Sequence, residues 1–398
     1  MATQVARRAP AVSAAANHPS VLLPFTVGAL VVTGLVMVLS ASSVSSYARY
    51  GSSFLFFQKQ ILWTIIGVVC FLFFSRFDYR RLSGFGYVAF GAVVLMLVAV
   101  LIPGVGVTAG GSSRWIGIGT FVIQPSEIAK LALVLFAADV FSRREPGSFT
   151  HLARTALPML PALGVLAVLV MLQPDLGTTV LLGAIGFGFL FVAGAPLRHL
   201  VPMGLLGAAS GLVAGLASPY RRVRLLAFMD PWKDPLDTGY HTIQSLIALG
   251  SGGWFGVGLG ASRQKWMYVP NAHTDFIYAI LGEEMGLLGT FAVLGMFAFL
   301  TYLGIRIARG APDRYGMLIA SGITIWMATQ ALVNMGAVTA SLPITGVPLP
   351  LVSFGGSSLV ISLAAMGILT SIARAGKAKK SRASMRQPGK AGSPTRAR

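Results

Sequence analysis

Ionisable residues stand inside or beside long apolar segments of this sequence. Glu127 and Lys130 occur in QPSEIAKLAL, and Asp175 occurs in LQPDLGTTV. Asp275 follows His273 by two residues and directly precedes an apolar helical stretch. Because a charge in apolar surroundings is costly, each of these residues is a candidate for function.

Each group also has a structural alternative. The i,i+3 spacing of Glu127 and Lys130 puts them on one helix face, where an internal ion pair could hold helices together. Asp175, two residues before Gly-Thr-Thr, has the position of a helix N-cap. Thr274 or Asp275 could cap the helix that follows. Both interpretations remain open for the first two groups, and Asp275 is the strongest functional candidate.

A second set of residues carries positive charge in the segments between apolar runs. The planar fork of arginine matches the oxygens of a phosphate group. Clustered cations of this kind favour a phosphate-bearing ligand over an ordinary solvated surface. The cluster comprises Arg221, Arg222, Arg224, Arg263 and Lys265, and GGSSRWIGIG adds Arg114 and Trp115.

The composition identifies the environment of the chain. Its 398 residues are 55% hydrophobic and only 11% charged, whereas soluble domains carry about 25% charged residues. The excess of 31 Lys and Arg over 12 Asp and Glu does not indicate nucleic-acid binding, because the cations lie in short clusters between apolar runs. The sequence indicates an integral membrane protein, and its single cysteine, Cys70, excludes an intramolecular disulfide.

Apolar runs of about 20 residues can cross a bilayer as helices. The predicted fold is an all-α integral membrane protein with about ten transmembrane helices and a large extracytoplasmic loop between helices seven and eight. The runs are 21–43, 59–75, 85–102, 123–141, 157–172, 178–195, 201–218, 286–305, 315–339 and 358–373.

The distribution of Lys and Arg predicts that both termini are cytoplasmic. The membrane domain is expected at 21–373, between a disordered tail at 1–20 and a basic, disordered tail at 374–398. The loop at about 218–285 then lies on the outer face with the basic cluster. Because it is rich in Trp, Tyr, Phe and Leu, it is predicted to be an ordered cap rather than disordered.

Five long motifs resemble the SEDS family (shape, elongation, division and sporulation). They are QPSEIAKLALVLFAA at 124–138, QPDLGTT at 173–179, DPWKDPLDTGYHTIQSLIALGSGGWFGVGLG at 230–260, HTDFIYAILGEEMGLLG at 273–289 and LPITGVPLPLVSFGGSS at 342–358. The resemblance covers nearly the whole chain between the tails. The segment GVGLGASRQKWMYVPNAHTDFIYA looks most like the cell-division members.

The resemblance implies a glycosyltransferase that polymerises lipid II into β-1,4 glycan strands on the outer face of the bacterial cytoplasmic membrane, at the division septum. The family's essential aspartate falls on Asp275, the expected catalytic base. Implied partners are lipid II, nascent glycan on undecaprenyl pyrophosphate, a class B penicillin-binding protein and other division proteins, with no nucleic acid. A divalent cation, Mg²⁺ or Mn²⁺, is the candidate cofactor; no protein metal ligands are assigned and no organic cofactor is expected.

Substrate contacts are expected from a wider set of residues. They are Glu127, Lys130, Arg114, Trp115, Asp175, Arg221, Arg222, Arg224, Lys265 and His273. Three other functions compete with division-type polymerisation: an elongation-type polymerase, a lipid II flippase and a non-catalytic division scaffold. A flippase built from inverted repeats should show matching interrupted helices in its two halves, and the sequence shows no convincing repeat.

Overall fold

Helices dominate the part of the chain that the computed structural model describes, namely residues 18–109, 112–118, 121–144, 158–217, 222–223, 227–266 and 268–385. The helices are α1 (Pro19–Tyr50), α2 (Leu55–Arg76), α3 (Phe85–Leu101), α4 (Pro125–Ser142), α5 (Leu160–Leu172), α6 (Leu176–Ala193), α7 (Leu197–Leu216), α8 (Tyr240–Ser251), α9 (Ile277–Arg309), α10 (Arg314–Val338) and α11 (Gly356–Met385).

The predicted helical membrane fold is confirmed. Within the described ranges, seven helices are long and apolar enough to cross a membrane, and α3 and α5 are shorter apolar helices. A further helix, α4, carries three charged residues, Glu127, Lys130 and Asp139. Together these helices correspond to the ten predicted spans, while α8 is an additional helix within the long loop.

The bundle is organised around its last two helices. The most apolar 18-residue stretch of α10 is 67% buried inside the protein, and that of α11 is 78% buried. The corresponding stretch of α7 is only 17% buried. The helix α11 packs on α2 and α1, and α10 packs on α9, α6 and α4. The polar residues of α10 are therefore well placed to contact several segments at once, whereas most of α7 is exposed on the outside of the bundle.

A small antiparallel sheet, which the sequence analysis did not predict, connects α3 to α4. Its strands are β1 (Gly106–Ala109), β2 (Ser112–Ile118) and β3 (Phe121–Ile123), in the order β1-β2-β3. Val107 pairs with Trp115, and Ile116 pairs with Ile123. Strands this short give too few residues for alternation to stand out in the sequence.

The predicted long loop, 218–285, is an ordered cap in the residues described. It contains α8 and the first part of α9, and Gly286 interrupts α9 with φ 68° and ψ −166°. The predicted start of the eighth span, residue 286, coincides with this break. The helical part before Gly286 belongs to the loop, and the part after it is the membrane span.

The predicted disorder of the C-terminal tail is wrong for its first residues. The helix α11 continues to Met385, beyond the predicted end of the span at 373. Alanine, lysine and arginine favour helix, so the helix extends after the apolar run ends. The remainder of the tail, and residues 1–17 of the N-terminal tail, lie outside the described residues.

The break in α9 requires glycine. A Cβ atom on Gly286 would clash with the backbone nitrogen of Gly256, and the backbone of Gly286 occupies a region essentially restricted to glycine. We expect Gly286→Ala to destabilise the protein by about 2 kcal/mol or more, measured by unfolding in detergent. The matched control is Gly295→Ala in the same helix, where no described atom outside the adjacent helix backbone lies within 4 Å of the added Cβ. Equal stability of the two variants would contradict this explanation.

Candidate active site

The backbone before α9 is held at three successive carbonyl groups. The carbonyl of His273 accepts a hydrogen bond from the Phe354 N–H at 2.9 Å. The carbonyl of Thr274 accepts one from Ser353 Oγ at 2.7 Å, and that of Asp275 accepts one from Asn334 Nδ2 at 2.8 Å. Segments far apart in sequence therefore fix the backbone position of Asp275.

Two amide side chains of α10 carry these connections across the bundle. Asn334 Nδ2 also donates to the Val347 carbonyl at 2.8 Å, and Gln330 Nε2 donates to the Pro348 carbonyl at 2.9 Å. The i,i+4 spacing puts both amides on one face of α10. This face holds the irregular segment that follows α10 against the backbone of Asp275.

The predicted pair of Glu127 and Lys130 is a buried ion pair. Lys130 Nζ lies 2.7 Å from Glu127 Oε2 and donates to Gln330 Oε1 at 2.9 Å. Trp326 Nε1 donates to the same amide oxygen at 2.7 Å. The side chain of Lys130 is fully buried. Glu127 and Lys130 therefore form the internal ion pair that was one of the two interpretations of their spacing. Through Gln330 this pair is connected to the segment that faces Asp275.

Asp275 lines a cavity of about 420 Å³ at the end of the bundle that carries the long loop, here called the loop end. The cavity is also lined by Asp237, Thr238, His241 and Asn271. Sequence reasoning missed Asp237 and His241, although both lie in the motif at 230–260. A cavity of this size, with carboxylates, a hydroxyl, an imidazole and apolar walls, has the size and lining of a small-molecule site.

Glycine shapes the wall of this cavity opposite the carboxylate. A Cβ atom on Gly346 would lie 3.7 Å from Asp275 Oδ2, and Gly346 has a positive φ of 70°. A larger side chain at this position would approach the carboxylate and strain the turn. The glycine therefore leaves room beside Asp275.

His273 lies behind Asp275 in an aromatic enclosure. Its ring stacks on Phe56 with centroids 4.9 Å apart and contacts the Phe354 ring edge-on at 5.5 Å. Burial, together with the nearby charge of Arg49, lowers the pKa of His273 to about 4. Among the described residues its buried Nδ1 has no hydrogen-bond partner. The imidazole is therefore neutral at physiological pH and acts as part of an aromatic cluster.

Asp175 is the N-cap of α6, as the structural alternative predicted. Its carboxylate accepts hydrogen bonds from the N–H and hydroxyl of Thr178, both at 3.0 Å. Arg114 lies 3.8 Å from that carboxylate and donates from Nε to the Gln173 carbonyl at 3.0 Å. The neighbouring Trp115 is half-buried in β2. The cap and Arg114 join the small sheet to the turn before α6. Substrate contact by Asp175, Arg114 and Trp115 stays a prediction.

The predicted basic cluster needs a correction at Lys265. This side chain is buried, with Nζ 3.7 Å from Glu284 Oε1, and it donates to the carbonyl of Gly260. It is therefore a structural cation that neutralises a buried carboxylate rather than an exposed phosphate ligand. The adjacent Glu283 accepts hydrogen bonds from Ser262 Oγ and from the backbone of the same loop. Sequence spacing gave no sign of this pairing, because it depends on the turns between residues 252 and 265.

The remaining cations of the cluster are only partly described. Arg222 and Arg263 are exposed, and Val223, the residue after Arg222, lines the cavity. Arg221 and Arg224 lie outside the described residues. In the described ranges no group of three or more His, Cys, Asp or Glu side chains converges as a metal site. The expectation of Mg²⁺ or Mn²⁺ stays a prediction.

The fold and the cavity together define a multi-pass helical membrane protein with an acidic site at one end of its bundle. The chain belongs to the FtsW/RodA/SpoVE family, since residues 21–378 match the family model FTSW_RODA_SPOVE, described as cell cycle protein. This confirms the resemblance to the SEDS family.

Similar proteins carry names from division and sporulation. The chain is 42% identical to Stage V sporulation protein E of Bacillus subtilis strain 168, over 90% of this chain and 98% of that one. It is 39% identical to the probable peptidoglycan glycosyltransferase FtsW of Geobacter sp. strain M18, over 85% and 92% of the two chains.

Solved structures share the fold. One is a chain of a peptidoglycan synthase complex, reported for the structural coordination of polymerization and crosslinking, with a TM-score of 0.71 and 30% identity, over 88% of this chain and 96% of that one. Another is the rod shape determining protein RodA of Thermus thermophilus, with a TM-score of 0.64 and 29% identity, over 88% and 95% of the two chains.

The buried ion pair gives a test of the connection across the bundle. Lys130→Met leaves the Glu127 carboxylate buried without its partner, so we expect a loss of about 3–5 kcal/mol in the free energy of unfolding in mixed detergents. The double variant Glu127→Gln/Lys130→Met removes both charges and should lose clearly less. With Glu127→Gln alone, these variants complete a double-mutant cycle, in which additive losses would show that the pair does not act as a unit.

The low pKa of His273 predicts a pH dependence of stability. Between pH 6.5 and about 4 the unfolded chain binds a proton at this imidazole and the folded protein does not, so stability falls as the pH is lowered. The loss approaches about 3 kcal/mol at the lower end of this range. We expect His273→Phe, which keeps the ring stacking, to lose less stability than wild type between pH 7.5 and pH 5 in thermal unfolding. Identical pH dependence in the two proteins would contradict the assignment.

Proposed function

We propose that this protein is a peptidoglycan glycosyltransferase that polymerises lipid II into β-1,4 glycan strands on the outer face of the bacterial cytoplasmic membrane during cell division. The observation that carries the proposal is the Asp275 carboxylate at a cavity of about 420 Å³, with the Asp275 carbonyl held by Asn334 and the preceding Thr274 carbonyl held by Ser353. The names of the relatives support the same reaction, since FtsW of Geobacter sp. strain M18 is a probable peptidoglycan glycosyltransferase.

The reaction needs one base. Lipid II carries an α-linked sugar on a pyrophosphate, and the product linkage is β, so a single inverting displacement suffices. Asp275 takes the proton of the acceptor's 4-hydroxyl group. The oxygen of that hydroxyl group attacks the anomeric carbon of the donor sugar as the proton leaves. The bond from that carbon to the pyrophosphate oxygen breaks, and the pyrophosphate leaves with the electron pair. General base catalysis of this kind contributes about 10²–10⁴-fold.

The leaving group needs charge neutralisation more than protonation, because pyrophosphate is already a stable anion. Arg222 is exposed and directly precedes Val223 of the cavity wall, in the basic segment with Arg221 and Arg224, and is the cation that we assign to this role. Glu127 and Lys130 act through Gln330 and the segment at 348, so we assign them to positioning the site. Lys265 is assigned to the structure of the loop.

Location and partners complete the proposal. Both termini are cytoplasmic, which puts the cavity on the outer face, where glycan strands are assembled. Acceptor and donor are lipid-linked, so both approach from the bilayer beside the cavity. A class B penicillin-binding protein crosslinks the strands at the division septum. The fold shared with a chain of a solved peptidoglycan synthase complex supports such a partnership.

The decisive variant is Asp275→Asn, which keeps the size of the side chain and removes the base. We expect its lipid II polymerisation to fall by at least about 10²-fold, measured for the purified protein with its penicillin-binding partner on a gel that resolves glycan chains. The control is Asp230→Asn, an exposed carboxylate of the same outer segment that does not line the cavity, which should keep wild-type activity.

Two outcomes would overturn the proposal. More than a tenth of wild-type activity in folded Asp275→Asn would exclude this residue as the base. Absence of strands from wild type, with partner and divalent cation supplied, would exclude the polymerase function and favour the flippase or scaffold alternative.

A further inference from the structure

A second cavity, of about 110 Å³, lies at the opposite end of the bundle, here called the tail end, where α1 begins and α9 ends. It is formed by three elements: the start of α1 at His18, the end of α9 at Arg306 and Gly310, and α11 at Gly376 and Lys377. A single water needs only about 10–15 Å³ of such volume, so a phosphate group fits here.

The cavity is positively charged. Arg306 and Lys377 are exposed at its rim, and in the described part of the chain neither forms an ion pair with a carboxylate. The Arg306 guanidinium lies 5.7 Å from the ring centroid of Tyr302, which holds it over the aromatic face. The first turn of α1 adds the partial positive charge of a helix N-terminus.

The last turn of α9 is closed by hydrogen bonds within the helix end. The Gly310 N–H donates to the carbonyls of Arg306 and Ile307, and the Ala311 N–H donates to that of Ala308, which fixes the backbone of Gly310 beside the cavity. A Cβ atom on Gly376 would lie 2.5 Å from the Gly310 carbonyl oxygen. Glycine therefore lets α9 and α11 approach closely, and this approach brings Arg306 and Lys377 to one cavity.

Apolar surface continues from the cavity along the membrane spans. Val21 and Phe25 of α1 are 50% and 77% exposed, and Ile305 of α9 is 43% exposed. The described part of the chain leaves these side chains at least partly uncovered, as expected for apolar residues of a membrane span. A ligand with a phosphate and long apolar chains would satisfy both parts of the surface, whereas a free phosphate would use only the first.

We propose that this cavity binds the phosphate headgroup of an anionic phospholipid, with the acyl chains lying along the exposed faces of α1 and α9. Basic pockets between transmembrane helices at a membrane surface bind anionic headgroups by this combination of charge and shape. The site lies at the other end of the bundle from Asp275, so its test does not depend on the proposed reaction.

The test compares two double variants of the full-length protein purified in neutral detergent. Arg306→Gln/Lys377→Gln removes the two cations of the cavity. Arg309→Gln/Lys379→Gln removes the same charge from the same two helices, a few residues away and outside the cavity. Native mass spectrometry measures the retention of added phosphatidylglycerol, with phosphatidylcholine and inorganic phosphate as separate arms. All four substituted side chains are exposed, and thermal unfolding checks that both variants fold.

Wild type and the control variant should retain phosphatidylglycerol in preference to phosphatidylcholine, and the cavity variant should bind it about 30-fold more weakly. Equal weakening by the two variants would overturn the proposal in favour of a diffuse basic surface. Equal retention of the two lipids, or inorganic phosphate bound as tightly as phosphatidylglycerol, would also overturn it.

Discussion

The fold around the candidate site depends on one requirement: polar backbone groups within a membrane protein must find partners inside the protein, because lipid offers none. Asn334 meets this requirement for two segments at once, since its Nδ2 donates to the carbonyls of Asp275 and Val347. Gln330, one turn earlier, donates from Nε2 to the carbonyl of Pro348. The polar face of α10 thereby determines where the backbone of Asp275 lies.

The segment between α10 and α11 shows why these hydrogen bonds from α10 are needed. Residues 342–355 are not helical, yet Val347, Leu349, Leu351 and Val352 are buried. Leu351 has a positive φ of 66°, an uncommon conformation for leucine, and the surrounding contacts must hold it there. Irregular backbone of this kind is stable only where protein covers it. The same contacts that cover it fix the carbonyls of residues 273–275, so the site is built as part of the packing of the bundle.

The sequence predicted those features that depend on local composition or adjacency. Apolar runs located the spans, because the length of a membrane helix is set by the bilayer. The i,i+3 spacing of Glu127 and Lys130 and the capping position of Asp175 also predicted contacts that form. Contacts between distant segments could not be predicted in this way. Lys265 pairs with Glu284 because glycine turns reverse the chain, and Asp237 reaches the cavity because α8 folds back onto α9.

The break at Gly286 gives the two parts of α9 different roles. Before it, Glu283 and Glu284 hold the loop at 257–265 through hydrogen bonds and the Lys265 ion pair, so this part is one unit with the cap. After it, the helix packs on α10 and α1 and ends at the basic cavity of the tail end. A continuous helix would transmit any tilt of the span directly to Asp275. Because the helix is broken and the first part is fixed by buried charges, the position of the carboxylate depends on the cap and on α10 rather than on the span.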